Sequence, residues 1–252
     1  MRRLTVLLIV LLAAACVWSF VVAREHGWWF PRNVSAFGER IDHLFELITW
    51  IAGAVLVIVF LLLALVVWRG ARAGRAERAH GDTRLEVAWT VLPAGVLVFL
   101  AYDQLDEWRE LKYAGSRPNV PVTARVVASQ FDWHFVYPGR DGRFDTLDDL
   151  ETAYELSVPE DEPVVLELVS RDVIHSFFVP ALRVKQDVVP GMRPVIWFEA
   201  RESGAYEIVC AELCGWGHYK MAGELAVLPR ARFDARLVEL EREFASNGEA
   251  AR

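Results

Sequence analysis

Residues 47–68 form a run of 22 positions without a charged side chain. Lipid offers the backbone no hydrogen-bonding partner, so a chain crosses a bilayer as a closed barrel or as helix, and a helical crossing takes roughly 20 apolar residues. The run therefore predicts a transmembrane helix. A second uncharged run covers the 16 residues 87–102, between Glu86 and Asp103, and contains Pro93. It is short for a span, and a buried helix of a soluble domain is the alternative. A return crossing that completes a helical hairpin fits the spacing better. The link between the runs carries Arg69, Arg72, Arg75, Arg78 and Arg84 against Glu77 and Asp82. Short arginine-rich loops stay in the cytoplasm. The segment before residue 47 and everything after residue 102 are thereby expected on the outer side.

The first residues, MRRLTVLLIVLLAAACVWSFVVA, join a basic pair to an apolar run and small residues at Ala13, Ala14 and Ala15. That is the pattern of a signal peptide cleaved after Ala15 or Ala23. Cys16 would suit a lipidated N-terminus, although Ala13 stands where that signal usually has Leu. An uncleaved third helix is the other reading.

Charge divides the chain. Residues 1–102 hold seven acidic and ten basic residues, a net of +3, whereas 103–252 hold 27 and 17, a net of −10, giving the overall −7. The acidity of the outer part provides solubility, or a steering field for a basic partner. From residue 120 the periodicity is that of strands. VPVTARVVASQFDWHFVYPG, EPVVLELVS, RPVIWFEA and GAYEIVC are short β-type runs separated by Pro, Gly and Asp clusters, which predicts a β-sandwich or barrel. RDGRFDTLDDLETAY lacks the ligand order and central Gly of a calcium loop and reads as solvated surface. The chain divides into a signal peptide or anchor (1–23), an external segment (24–44), two spans (45–68 and 86–108) flanking a cytoplasmic loop (69–85), a β domain (115–230) and a helical tail (231–252).

Chemistry concentrates in VCAELCGWGHYKMAG, residues 209–223, which places Cys210, Glu212, Cys214, His218 and Met221 within twelve positions. A Cys210–Cys214 disulfide would close a loop too short to stabilise folding much, and would leave His218 and Met221 without a purpose. Zinc has little use for a thioether. Thiolate, imidazole and thioether together select copper. A second cysteine allows two sulfurs to bridge two coppers, and each metal then needs an imidazole. His218 supplies one; His134 and His175 are the candidates for the other. His175 ends a hydrophobic strand in RDVIHSFFVP, whereas His134 alternates with Trp133 and Phe135 and is expected to face out.

HSFFVPALRVKQDVVPG followed by CAELCGWGHYKMAG resembles subunit II of the haem–copper cytochrome c oxidases, from about residue 37 to 229, with LEVAWTVLP matching the second helix. The resemblance implies an all-β cupredoxin-like sandwich preceded by a two-helix transmembrane hairpin, in a bacterial plasma membrane. It implies a binuclear copper centre, CuA, with Cys210 and Cys214 bridging, His175 and His218 each capping one copper, and Met221 and the Glu212 carbonyl as weak ligands. It further implies a magnesium or manganese site shared with subunit I through the Glu212 carboxylate, and a proton-channel mouth at Glu86. The partners implied are haem-bearing subunit I, subunit III and a cytochrome c donor. The family usually has an exposed Trp as electron entrance; here the aligned position is Phe131, followed by Asp132 and then a retained Trp133. No Cys-x-x-Cys-His is present, so a separate haem protein would be the donor. A quinol oxidase subunit, or a copper-binding module without electron transfer, are the competing readings.

Overall fold

The computed structural model describes residues 2–73 and 81–250. The middle of the arginine-rich loop, with Arg75, Glu77 and Arg78, lies outside the described residues. Two compact units result: Met1–Pro31 with Asp42–Glu107, and Arg32–Ile41 with Trp108–Arg252.

The first unit holds three helices long and apolar enough to cross a membrane, not the two of the expected hairpin. They are α1 (Arg2–Glu25), α2 (Gly38–Ala73) and α3 (Thr83–Asp103). The third arises because the N-terminal apolar run meets no Gly or Pro before Gly27, so nothing in it stops a helix. Nearly all of the apolar surface of the three helices is uncovered by the protein itself, which is favourable only in lipid. Helix α3 starts where the Asp82 carboxylate accepts from the N–H groups of Arg84 (2.9 Å) and Leu85 (3.4 Å). Aromatic rings gather beside α1 and α2, with Phe20 edge-on to Trp29 at 4.8 Å and Phe30 edge-on to Phe45 at 4.9 Å. Rings of this kind suit the headgroup level of a bilayer.

The second unit takes up the chain again within the short helix α4 (Leu105–Lys112) and is dominated by ten strands. These are β1 (Ala124–Ser129), β2 (Asp132–Tyr137), β3 (Leu150–Ala153), β4 (Glu155–Pro159), β5 (Pro163–Ser170), β6 (His175–Val179), β7 (Val184–Val188), β8 (Val195–Glu199), β9 (Gly204–Cys210) and β10 (Ala222–Leu228). They form two five-stranded sheets, ordered β3-β2-β1-β5-β8 and β4-β10-β9-β6-β7. Pairing is antiparallel except for β1 with β5 and β4 with β10. This is the sandwich that the alternating runs predict. In β2 the inward set Trp133, Phe135 and Tyr137 is buried, while Asp132, His134 and Val136 are half-exposed, as a period of two requires. Tyr137 ties the sheets together: its hydroxyl donates to the Ser157 carbonyl on β4 (2.9 Å) and accepts from the Ser157 N–H (2.7 Å). The tail forms helix α5 (Arg230–Ala250), which buries Phe233 and Leu240.

The segment ahead of α2 is part of this β unit. Val34 is buried, its N–H donates to Ala181 (3.0 Å), and its carbonyl accepts from Arg201 N–H (2.8 Å). Ser35 bridges to Ala200. The sequence gives no hint of this, because RNVSAF shows no alternation and its partners lie far along the chain.

Candidate metal centre

Three pieces of the second sheet converge at one end of the sandwich. His175 opens β6, Cys210 closes β9, and the intervening loop returns to β10 at Ala222. The loop is clamped at its base, where Cys210 N–H donates to Met221 (3.1 Å) and Ala211 N–H to Ser176 (3.0 Å). A pinned loop on a rigid sheet holds ligands more accurately than a free one.

Two half-sites result. Cys210 Sγ lies 3.9 Å from His175 Nδ1 and 3.2 Å from the Glu212 carbonyl oxygen. Cys214 Sγ lies 3.8 Å from His218 Nδ1 and 3.8 Å from Met221 Sδ. The two sulfurs, both free thiols, are 3.9 Å apart and join the halves. Each half thus offers one imidazole and one weak donor beside a sulfur, and the two sulfurs face each other. His175, Cys210, Cys214 and Met221 are buried, so water competes little for a metal held there. The donor set of soft sulfur and imidazole fits copper.

The electrostatics prepare the sulfurs unequally. Burial opposes ionisation of Cys210, yet the His175 ring, the neighbouring backbone and His218 outweigh it and bring this thiol down to about 6. Cys214 is pushed up to about 11, by burial and by the charge of Cys210. The two titrate as a pair that gives up one proton readily and holds the second.

Two residues absent from the sequence reading support the ligands. The Asp172 carboxylate sits 2.8 Å from His175 Nε2 and also accepts from the N–H groups of Gln130 (2.7 Å) and Val173 (2.7 Å). It holds the ring with Nδ1 toward Cys210, the carboxylate–histidine arrangement common around metals. Gln130 in turn donates its side-chain amide to the Cys214 carbonyl. An acidic residue three positions before His175 was the available signal.

The remaining predicted residues are dispersed. Glu212 turns its carbonyl toward Cys210, while the residue itself is exposed. His134 stays outside the cluster and pairs with Glu151 at 2.8 Å. Trp133 is fully buried, 6.2 Å from the His175 ring and 5.7 Å from Phe177. Phe131 is half-buried and edge-on to Trp216 at 5.1 Å. Glu86 lies in the first turn of α3, in the helical unit.

Comparison with known proteins gives matches in both units. The family described as cytochrome C oxidase subunit II, periplasmic domain, matches residues 124–226, and its transmembrane domain matches 23–106. Cytochrome c oxidase subunit 2 of Alkalihalophilus pseudofirmus is 36% identical over 162 residues, covering 63% of this chain and 45% of that relative's length. A probable cytochrome c oxidase subunit 2 of Rickettsia bellii is 30% identical over 262 residues, covering 98% of this chain and 95% of the relative. Among solved structures, the periplasmic domain of cytochrome oxidase subunit II from Bradyrhizobium japonicum is similar with a TM-score of 0.45 and 26% identity, covering 50% of this chain and 98% of that one.

Proposed function

The chain belongs to the cytochrome c oxidase subunit II family, and from that premise we propose that it takes electrons from a cytochrome c at a binuclear copper centre and hands them to haem in subunit I. The oxidase as a whole reduces oxygen to water and translocates protons. This chain is its electron-accepting subunit and is not catalytic alone. It is anchored by its apolar helices, and its β domain is the periplasmic one.

The observation that carries the reading is the paired half-site. Two facing sulfurs, each with its own imidazole and its own weak donor, match a need for two copper ions, and a single ion would leave half of the donors idle. Cys210 and Cys214 would bridge, His175 and His218 would cap, and Met221 and the Glu212 carbonyl would complete the set. When bound, copper supplies a one-electron couple. The chain's contribution is to hold the donors still. The β6, β9 and β10 ladders fix where the ligands stand, Asp172 fixes the His175 ring, and burial excludes water. Donors that cannot move need little rearrangement when the charge changes, and a small rearrangement makes electron transfer fast.

The same reading assigns the exposed Glu212 carboxylate to a magnesium or manganese ion shared with subunit I, since a carboxylate is a hard-metal ligand. It assigns Glu86 to the mouth of a proton channel in subunit I, since an ionisable group at a membrane boundary is a functional candidate. Subunit I, subunit III and cytochrome c are the partners. Copper analysis with electron paramagnetic resonance on the purified oxidase tests the reading. Two coppers sharing one unpaired electron in this subunit are expected. One copper or none, or turnover with quinol but not with cytochrome c, would overturn it.

A further inference from the structure

Four of the six proposed copper ligands are enclosed, His175, Cys210, Cys214 and Met221 each being no more than 8% exposed, while His218 is half-buried. An electron from a soluble donor is best received by an exposed group with a short connection to these ligands. Trp133 touches the His175 ring but is fully buried. Phe131 is half-buried, and the copper loop lies flat on it. A Cβ added to Gly217 would fall 2.5 Å from Phe131 Cδ2, and one added to Gly215 would fall 3.1 Å from Cε1. The loop's glycines thus let its backbone cover this ring.

Between those glycines stands Trp216, which is 77% exposed. It is two residues from Cys214 and two from His218, so short covalent paths lead from its backbone to both half-sites. Its ring meets Phe131 edge-on at 5.1 Å, and Lys220 Nζ sits 5.0 Å from its centroid. Phe131, Asp132, Tyr154, Trp216 and Lys220 line one shallow depression. An indole has a large, polarisable π-face suited to contact with another flat ring.

We propose that Trp216 is the electron entrance of this subunit, the surface ring against which the edge of the donor's haem docks, with Phe131 as its inner support. In each transfer the donor's haem iron goes from ferrous to ferric, and the single electron released is gained by the copper. No bond forms or breaks and no proton moves. Lys220 acts as a positioning residue, holding the indole across one face. The inference rests on the electron-accepting role proposed above.

The test uses the assembled oxidase with ferrocytochrome c as the donor. Trp216→Ala should lower the rate of electron arrival by about tenfold or more, and Trp216→Phe by less. Copper content, the copper resonance spectrum and turnover with a small diffusible phenylenediamine should be unchanged in both. Independently of turnover, ferricytochrome c should protect Trp216 of the unmodified oxidase from hydroxyl-radical labelling. Wild-type rates in Trp216→Ala with copper intact would overturn the proposal, as would an unprotected Trp216. If the alanine variant lost copper, the labelling result would decide alone. An unmodified oxidase that bound no copper, or ignored cytochrome c, would instead sink the underlying function.

Discussion

Cys210 and Met221 place their sulfur atoms at the same centre, yet their loss should have unequal consequences. Cys210 Sγ touches His175, the Glu212 carbonyl and Cys214, so Cys210→Ser removes the joint between the half-sites and should abolish the binuclear centre. Met221 contributes a thioether beside Cys214 only, from a buried slot that Leu can fill. Met221→Leu should keep its copper and shift its reduction potential, which copper analysis and a redox titration can check. Equal copper loss in both variants would refute the ranking. Asp172→Asn makes a further case. It keeps the shape of the side chain but removes a negative charge from beside His175 Nε2. With less negative charge to oppose it, the added electron is better accommodated, so the potential should rise, while copper affinity falls about 10–100-fold. A lower potential would show that Asp172 acts on the ring's orientation alone. At this scale the sequence was most informative where residue type alone dictates chemistry. The soft donors that the fold brings together were legible in one loop and one distant His. Asp172 and Gln130 were not, because a carboxylate or amide declares its role only when the fold aims it.

Strands and the copper loop show how local pattern and long-range packing divide the information. The alternation in FDWHFVY set which side chains of β2 point inward, and Trp133, Phe135 and Tyr137 are buried accordingly. The same alternation placed His134 outside the centre. What alternation cannot carry is the partner across the sandwich. The bond pair between Tyr137 and Ser157 links β2 to β4 from the other sheet. Tyr137→Phe would leave a buried N–H and a buried carbonyl without this partner, at a cost of about 1–3 kcal/mol in denaturant unfolding. A negligible change would mean that water or backbone adjustment replaces the hydroxyl. The copper loop makes the complementary point. Gly217 has ordinary backbone angles, φ −92° and ψ 4°, so any residue could adopt them. Its small size matters because of the Phe131 ring, which must shift if a Cβ is added. Gly217→Ala should therefore displace Phe131 or the loop and weaken copper binding, and removing the ring as well, with Phe131→Ala, should restore copper. Nothing in the local sequence announces this contact, because its two sides are over 80 positions apart. The course of the N-terminal helix and of the Val34 segment was not legible, for related reasons. An apolar run does not record whether it is to be cleaved or retained, and a single edge pairing has no period.

At the scale of the whole molecule, charge is divided between the helical N-terminal part and the domain that follows it. The helical N-terminal part is weakly basic, net +3 over residues 1–102, and residues 103–252 carry a net −10. A field of that size acts on a donor before contact and so affects the rate of encounter more than the strength of the final complex. Carboxylates close to the centre contribute to it: Asp172 is partly exposed, Glu212 is exposed, and Asp132 borders the depression beside Trp216. Raising ionic strength from about 0.01 M to about 0.15 M shortens the screening length from about 30 Å to about 8 Å. The kcat/KM for a basic cytochrome c should then fall steeply, by about tenfold or more, while turnover with a small uncharged reductant stays level. The two halves of that expectation separate two causes. If both rates fell together, salt would be acting on the assembled oxidase and not on encounter. If neither changed, the acidity would serve solubility alone, and docking would depend on the aromatic contact at Trp216. In the expected case the long-range field and the short-range ring have distinct signatures. Trp216→Ala should lower the rate at every ionic strength without altering the slope, whereas neutralising Asp132 as Asp132→Asn should flatten the slope and leave the high-salt rate unchanged.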